Sequence, residues 1–281
     1  MKKDKKVVFI TGCSSGLGSA LVQRCLDLDY IVYATVRDIK RKGELEQIKE
    51  ATGLYVLTLD VRDTDAVTNL VAKIQQKESH IDVLIVNAGS HFCEPVESIT
   101  SAQIDHVFGS NFIGALNCVQ AVLPIMRKQK CGNIIAVSSL SAQIGLPCDA
   151  LYSASKAALE RMLESLRAEV APFGISVNAV VPSTFPSRLL LGVSSQPIDK
   201  KSSYYPLWVH SRNKLGEKPN GSIDSVVKVT VSLIGTTKSD FRVPADDMAM
   251  SVLKKIYRME DVEREKAVSQ WSDTVWWHKC H

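Results

Sequence analysis

Tyr152 and Lys156 stand four residues apart at the end of the stretch GNIIAVSSLSAQIGLPCDALYSASK, Gly132 to Lys156. If a helix opens near Tyr152, the two side chains share one face, a turn apart, and an ammonium can approach a phenol. Free tyrosine titrates near pH ~10, and a neighbouring positive charge lowers that value, which makes the phenol a usable proton donor or acceptor near neutrality. Ser139 lies thirteen residues before Tyr152, where the apolar run Ile134 to Val137 ends. Its hydroxyl can meet the same substrate oxygen. Taken alone, the pair also fits a plain helix start with an exposed lysine, and the rest of the chain decides between the two.

Near its N-terminus the chain has the residues to hold a nucleotide. Val7 to Ile10 is a short apolar run of the kind that forms a buried parallel strand. Thr11 to Gly18, TGCSSGLG, follows, and Leu17, Leu21, Cys25 and Leu28 then recur at helical spacing. Strand, glycine turn and helix in that order let free N–H groups and the positive end of the helix meet a pyrophosphate. Gly12, Ser14, Ser15, Gly16 and Leu17 are the candidate contacts. Ile31 to Val36 reads as a second strand, and residues at its end meet the adenosine ribose in such a fold. Where an acid would accept from the 2′-OH of NAD the chain has Val36, and Arg37 can pair with the 2′-phosphate of NADP. The expected cofactor is NADP(H), although a register shift of one residue would bring Asp38 to the ribose and favour NAD. Arg37 also fits an ordinary surface position.

Between these sites strands and helices alternate. Leu54 to Leu59 is expected as a third strand leading to Asp60 and Val61, with the carboxylate available to the adenine amino group. Val67, Leu70, Val71 and Ile74 predict a helix from about Asp63 or Thr64. Val83 to Val86 is a fourth strand, and the small residues Asn87, Ala88 and Gly89 at its carboxyl end suit the crevice where open parallel sheets bind ligands. Ile104, Val107, Phe108 and Asn111 share a helical face; the Asn111 amide is either satisfied structurally or orders a water near the site. After the Tyr152 helix, with Leu159, Leu163, Leu166 and Val170 toward the core, Gly174 breaks the helix, Ile175 to Val181 forms a sixth strand and Pro182 ends it. The alternation implies one α/β domain built on a Rossmann-type, doubly wound parallel sheet.

Phe185 to Ser222 interrupts that rhythm with Pro186, Pro197, Pro206 and Pro219 among Leu189 to Leu191, Tyr204, Tyr205, Leu207 and Trp208. It is expected to be an irregular, mobile substrate cover without helical period, with a linker as the alternative. The chain then divides into a core over residues 5–184, a lid over 185–222 and a C-terminal helix and tail over 223–281. The last helix is expected over Pro244 to Tyr257. Beyond Glu260 the tail, with Trp271, Trp276 and Trp277, either packs on the body or meets a partner or a membrane surface.

Composition narrows the classes. A chain of 281 residues, 45% hydrophobic and 23% charged, can bury one large core. Its net charge of +4 is thinly spread, and the run Lys2, Lys3, Lys5 and Lys6 reads as a solvated terminus, so no nucleic-acid partner is expected. Seven cysteines without a CxxC pair read as reduced thiols of a cytoplasmic protein. The cluster His278 to His281 reads as a frayed tail, and no metal is expected. No apolar stretch reaches the ~18 residues of a membrane span, and the first residues lack a signal-peptide pattern.

TGCSSGLG, the NAG of Asn87 to Gly89, Asn111, Ser139 and YSASK occur in an order that resembles the short-chain dehydrogenase/reductase family, single-domain branch, over residues 5 to about 188. VYATVRD, AVLPIMR and GLPCDALYSASKAALE look closest to the group of 17β-hydroxysteroid dehydrogenases and photoreceptor-type retinol dehydrogenases. The resemblance implies Tyr152 as catalytic acid/base, with Lys156 holding the nicotinamide ribose and lowering the tyrosine pKa. It makes Ser139 the orienter of the substrate oxygen and Asn111 the holder of a relay water. Gly12, Ser14, Ser15, Gly16, Leu17, Arg37, Asp60, Val61, Asn87, Ala88, Gly89, Tyr152, Lys156, Val180 to Ser183 and Ser187 would line the cofactor. Two positions depart from the pattern: Ser183 stands where many members carry glycine, and Ser187 where they carry threonine. The glycine-rich final strand of many bacterial ketoreductases is not evident.

The expected activity is NADP(H)-dependent hydride transfer to or from a secondary alcohol or ketone of a bulky hydrophobic, steroid- or retinoid-like substrate, in a homodimer or homotetramer. Reduction of a biosynthetic polyketide or alkaloid ketone is the alternative within the class. A nucleotide-binding regulator without chemistry is the alternative outside it, although such a protein has no need of Ser139, Tyr152, Lys156 and Asn111.

Overall fold

The runs that read as continuously apolar are strands covered on both faces. Val7–Ile10 (β1) has no exposed residue: Val7 and Phe9 join one hydrophobic cluster and Val8 and Ile10 another on the opposite side of the sheet. A strand buried on both faces has no polar side to alternate with, which is why its sequence shows no period of two. In the computed structural model the chain is described over residues 5–277, apart from 42, 49–50, 195 and 218–219. Lys2, Lys3, Pro219 and the His278 to His281 cluster lie outside the described residues.

After β1 come Leu17–Asp27 (α1), Ile31–Val36 (β2), Leu54–Thr58 (β3), Thr64–Glu78 (α2) and Val83–Val86 (β4). Asp63 caps α2, its carboxylate accepting from the Ala66 N–H at 2.9 Å. Ser101–Phe108 (α3) then runs through one π-turn, Gly109–Ile113, into Gly114–Gln129 (α4). Gly132–Val137 (β5), Ala150–Val170 (α5) and Ile175–Val181 (β6) complete the alternation. The sheet order is β3-β2-β1-β4-β5-β6 with every pairing parallel, the doubly wound arrangement that the pattern implies. Order reverses between β1 and β4, so a crevice opens at their carboxyl ends.

From Phe185 onward the structure corrects the expectations. Residues 185–222 are not without helical structure: Arg188–Ser194 (α6) and Tyr205–Gly216 (α7) lie within them. Pro206, which reads as a breaker, sits in the first turn of α7, where its missing N–H has no helical partner to lose. Ile223–Ser232 (α8), capped by Ser222, packs its Val226 and Val227 into the core although its β-branched composition hides the helix. A seventh strand, Arg242–Pro244 (β7), pairs in parallel with β6 at the sheet edge. Three residues carry no periodicity, and proline is admissible on an edge. The last expected helix therefore starts later, as Asp247–Ile256 (α9), with the Asp246 carboxylate accepting from the Ala249 N–H at 2.8 Å.

The tail forms Asp261–Trp271 (α10) and turns back onto the lid: Trp277 packs against the cluster of Cys93, Cys148, Val193, Leu207 and Trp208, and Trp276 meets the His210 ring edge-on at 5.5 Å. The continuous helical run Ser101–Gln129 has an 18-residue window of mean hydropathy 1.3, enough by length and composition to cross a membrane and more than the sequence reading allowed. Cys118, Val119, Val122 and Met126 of that run are buried against the sheet, as in a core helix. Among the described residues all cysteines are free thiols, and only Cys131 is exposed.

Candidate active site

Side-chain hydrogen bonds of Thr11 and Asn87 place the two glycine motifs side by side. The Thr11 hydroxyl accepts from the Asn87 and Ala88 N–H groups at 3.1 Å, and the Asn87 amide donates to Thr11 O at 3.0 Å and Gly12 O at 2.9 Å. Gly12 has φ +71°, and a Cβ there would stand 2.7 Å from Ala88 Cα. A side chain at this position would force the motifs apart. Gly16 is also left-handed, at φ +58°, but a Cβ there would meet nothing within 4 Å. This glycine therefore leaves open space over the start of α1, as an approaching phosphate requires. α1 has no acidic residue in its first turn. The Glu44 carboxylate reaches in from a neighbouring turn and accepts from the Gly16 N–H at 3.0 Å and from the Ser19 hydroxyl. Residues present thus fit a dinucleotide, with Glu44 standing in for the anion.

Around this turn lies a cavity of about 1090 Å³, more than one drug-sized ligand fills. Gly12, Ser14, Ser15, Gly16 and Leu17 border it at one end, followed by Arg37, Asp60 and Val61. Asn87, Ala88, Gly89, Pro182, Ser183 and Ser187 border its middle, with Ser139, Tyr152 and Lys156. Val180 and Val181 do not reach it; as strand residues of β6 they are fully buried in the core. Asn111 does not reach it either. Its amide oxygen accepts from Ser90 N–H (2.8 Å) and the Ser110 hydroxyl (2.9 Å), and its NH₂ donates to Ser90 O and Ser155 Oγ (both 2.9 Å). With all four positions used, the side chain braces the loop after β4 and has none left for a water.

Arg62, unremarked in the sequence, grips Asp60 through Nε at 2.9 and 3.1 Å and lowers its carboxyl pKa. Burial first, then Arg37 and Arg62, lower the pKa of His106, partly opposed by Asp60; with Arg62 paired to Asp60, Arg37 and Asp38 are the other charges at this end of the cavity. Asp38 accepts from the Lys40 N–H at 2.9 Å. Ser183 donates its N–H to Asp246 at 2.9 Å, which ties the corner after β6 to the cap of α9.

Tyr152 and Lys156 do lie on one face of α5, and both are buried. Lys156 Nζ is 5.7 Å from the centre of the phenol ring and donates to Val137 O at 2.8 Å. Burial lowers the Lys156 pKa to about 8, partly opposed by Glu160. The phenol, by contrast, is pushed well above its ordinary value, by burial first and then by Asp149, while the Ser139 hydroxyl draws it back. Lys156 is thus not what sets the tyrosine in the site as it stands; the phenol is held as the protonated acid. Ser139 accepts from Ser141 N–H at 3.1 Å, with its oxygen on the cavity.

The next hydroxyl back, Ser138, donates to Glu160, which also takes Nε of Arg242 at 2.6 Å; Arg242 continues to Glu164 at 3.0 Å. This buried network joins β7 to the strand end that carries Ser139. Phe92, Ile144, Leu190, Leu215, Val252 and Trp271 add apolar side chains to the cavity walls, beside the polar Gln196, Ser211, Lys214, Glu217 and Ser272. One further residue was invisible to sequence reasoning: His91 stacks on the Tyr152 ring at 4.1 Å and 24°.

A short chain dehydrogenase family model matches residues 6–196. Retinol dehydrogenase 8 of Bos taurus is 36% identical over 252 residues, covering 84% of this chain and 80% of that protein. The 17-beta-hydroxysteroid dehydrogenase type 1 of Homo sapiens is 30% identical over 274 residues, covering 92% of this chain and 82% of that protein. Among solved structures, a short-chain dehydrogenase from Streptomyces avermitilis superposes with a TM-score of 0.81 at 26% identity, covering 96% of this chain and 97% of that one.

Proposed function

The chain belongs to the short-chain dehydrogenase family, and on that premise we propose that it is an NADP(H)-dependent oxidoreductase acting on a secondary alcohol or ketone of a bulky, hydrophobic molecule. The observation that carries the reading is the cavity itself, which brings the open glycine turn, Arg37, Ser139, Tyr152 and Lys156 together with the apolar side chains Phe92, Ile144, Leu190, Leu215, Val252 and Trp271. The bound dinucleotide supplies or accepts the hydride. For reduction, the chain supplies the proton from Tyr152 Oη to the carbonyl oxygen, and Ser139 Oγ donates a hydrogen bond to the same oxygen. Lys156 spends one N–H on Val137 O and has two left for the ribose hydroxyls. NADP(H) is favoured because Arg37 and Arg62 face the ribose end while Val36 offers no acceptor.

Bulk in the substrate is favoured by the apolar walls and by the names of the relatives, a retinol and a steroid dehydrogenase. Residues 185–222 serve as a lid, with α6 as the moving part and α7 as its base, pinned by Trp208 and Trp277. A panel of a 17-ketosteroid, retinal and cyclohexanone, each offered with NADPH and with NADH, tests the reading. Fastest turnover of a large carbonyl with NADPH supports it. Tyr152→Phe should then lose at least about 10²-fold in kcat while still binding NADPH. Turnover of none of the probes, or of cyclohexanone alone, overturns it.

A further inference from the structure

His91 and Asp149 are 58 residues apart in sequence and meet beside the phenol. His91 Nε2 lies 2.6 Å from Asp149 Oδ1, and both side chains are 3% exposed. The second Asp149 oxygen accepts from the Ser153 hydroxyl at 3.1 Å. His91 Nδ1 is buried with no hydrogen-bond partner among the described residues. A proton on that nitrogen would be an unsatisfied buried donor, so the proton resides on Nε2 and is donated to Asp149. That bond fixes the plane of the imidazole, and the imidazole face covers the Tyr152 ring at 4.1 Å.

The loop that carries His91 is itself held by the lid. Gln196 donates its amide to His91 O at 3.1 Å, and the Trp208 indole N–H donates to Cys93 O. Asp149 sits at the N-terminus of α5, three residues before Tyr152, so one carboxylate anchors the ring that packs on the next turn of its own helix. The geometry points to His91 as a positioning residue for Tyr152: Asp149 orients the imidazole, the imidazole face sets the phenol, and Gln196 couples both to closure of the lid. This inference rests on Tyr152 as the proton donor. It adds a coupling of substrate cover to proton donor that Ser139 and Lys156 alone do not provide.

The other titratable groups around the phenol are Lys156 on α5 and, beyond His91, Cys93, Cys148 and the Arg212 guanidinium of α7. Asp149 is the negative charge that opposes the phenolate. Replacing it by asparagine keeps a hydrogen-bonding partner for His91 and removes the charge; replacing it by alanine removes both.

Three variants decide the matter: His91→Ala, Asp149→Ala and Asp149→Asn, with NADPH affinity by fluorescence, kcat and KM for the fastest probe of the panel, and the pH dependence of kcat. His91→Ala and Asp149→Ala should lower kcat about tenfold or more, with KM and NADPH affinity within about twofold. Asp149→Asn should recover most of that loss and move the tyrosine limb of the profile down by about one pH unit, because removing a negative charge favours the phenolate. A kcat within twofold of the parent in His91→Ala overturns the proposal. So do Asp149→Asn and Asp149→Ala that behave alike, since packing alone would then explain both. Should the alanine variants fail to fold, Asp149→Asn decides, and an unmoved limb overturns the idea. Should the parent turn over no probe, the proposed activity fails, and the positioning is then read without substrate. In protein labelled with [13Cζ]tyrosine, with the Tyr152 signal assigned from Tyr152→Phe, Asp149→Asn should titrate at lower pH than the parent; identical titrations overturn the proposal.

Discussion

Lys156 is expected to destabilise the protein that depends on it. Its ammonium is buried, and its pKa falls from the ordinary 10.5 to about 8. At 1.36 kcal/mol for each factor of ten, that drop is a penalty of about 3 kcal/mol on keeping the charge in the fold. The sign follows from proton binding: between pH 8 and 10.5 the unfolded chain holds the proton that the folded chain has released, so this group's contribution to stability rises with pH across that window. Below pH 8 the whole penalty is present.

Lys156→Met removes it, at the loss of the hydrogen bond to Val137 O, worth about 1 to 2 kcal/mol when the carbonyl is left buried and unpaired. The balance is about 1 to 2 kcal/mol of stabilisation at pH 7, or a rise in Tm of roughly 2 to 8 °C for a chain of this size. Thermal melts of parent and variant without cofactor, at pH 7 and at pH 10, measure it. Only the difference between the two proteins is diagnostic, because Cys13, Cys25 and Tyr152 have raised pKa values and change parent stability in the opposite direction at high pH. The variant's advantage should shrink or reverse at pH 10. A variant that melts lower at pH 7, or an advantage independent of pH, refutes the reasoning. Turnover should be lost in either case.

Val36→Asp should reverse the cofactor preference, with NADPH binding weakened about tenfold or more relative to NADH; equal dissociation constants for the two cofactors in the parent would already defeat the assignment to Arg37. Because the Glu44 carboxylate occupies the Gly16 N–H, Glu44→Gln should tighten NADPH binding several-fold at low salt and less at high salt, and isothermal titration showing no gain removes Glu44 as a competitor. Leu190→Ser should raise KM for the 17-ketosteroid far more than for cyclohexanone with NADPH affinity unchanged. Amide exchange over residues 186–194 should slow only when cofactor and substrate are both present; protection there equal to that of β1 without ligand means that α6 is no lid.

The parts of the fold legible in the sequence are those whose burial is complete. β1 and β4 are unbroken apolar runs, and β2, β5 and β6 nearly so, because both faces of the sheet are covered, and the glycine turn announces itself through backbone geometry that glycine favours. β7 escaped because three edge residues, one of them proline, carry no pattern. α8 escaped because Val226, Val227, Val229 and Val231 read as strand, while its Ser222 cap was the signal available to find it. α7 escaped because its buried face, at helical spacing over Leu207, Trp208, Ser211 and Arg212, is polar at the last two, so no apolar stripe marks it.

In the site, Ser139, Tyr152 and Lys156 were legible from spacing along one strand end and one helix. Arg62 beside Asp60, Glu44 over Gly16 and His91 on Tyr152 were not, since each depends on which loops the topology brings together. The Asn111 amide was left open between two roles, and its four protein partners settle its side chain as a brace.

The order in which the cavity's walls leave the ribosome differs from their order in space. Apart from Ser187, what borders the dinucleotide end, from Gly12 to Ser183, is made before residue 185, whereas Leu190, Leu215, Val252 and Trp271, unlike Phe92 and Ile144, belong to the roughly 90 residues that follow. At common elongation rates those residues take roughly 5 to 20 s to appear. During that interval six strands are already available to pair, and the crevice at their carboxyl ends has no roof. A nascent chain can therefore capture its nucleotide while the apolar wall is still being synthesised. A nucleotide bound at that stage would stabilise the sheet's open end by mass action until α7, α9 and α10 cover it.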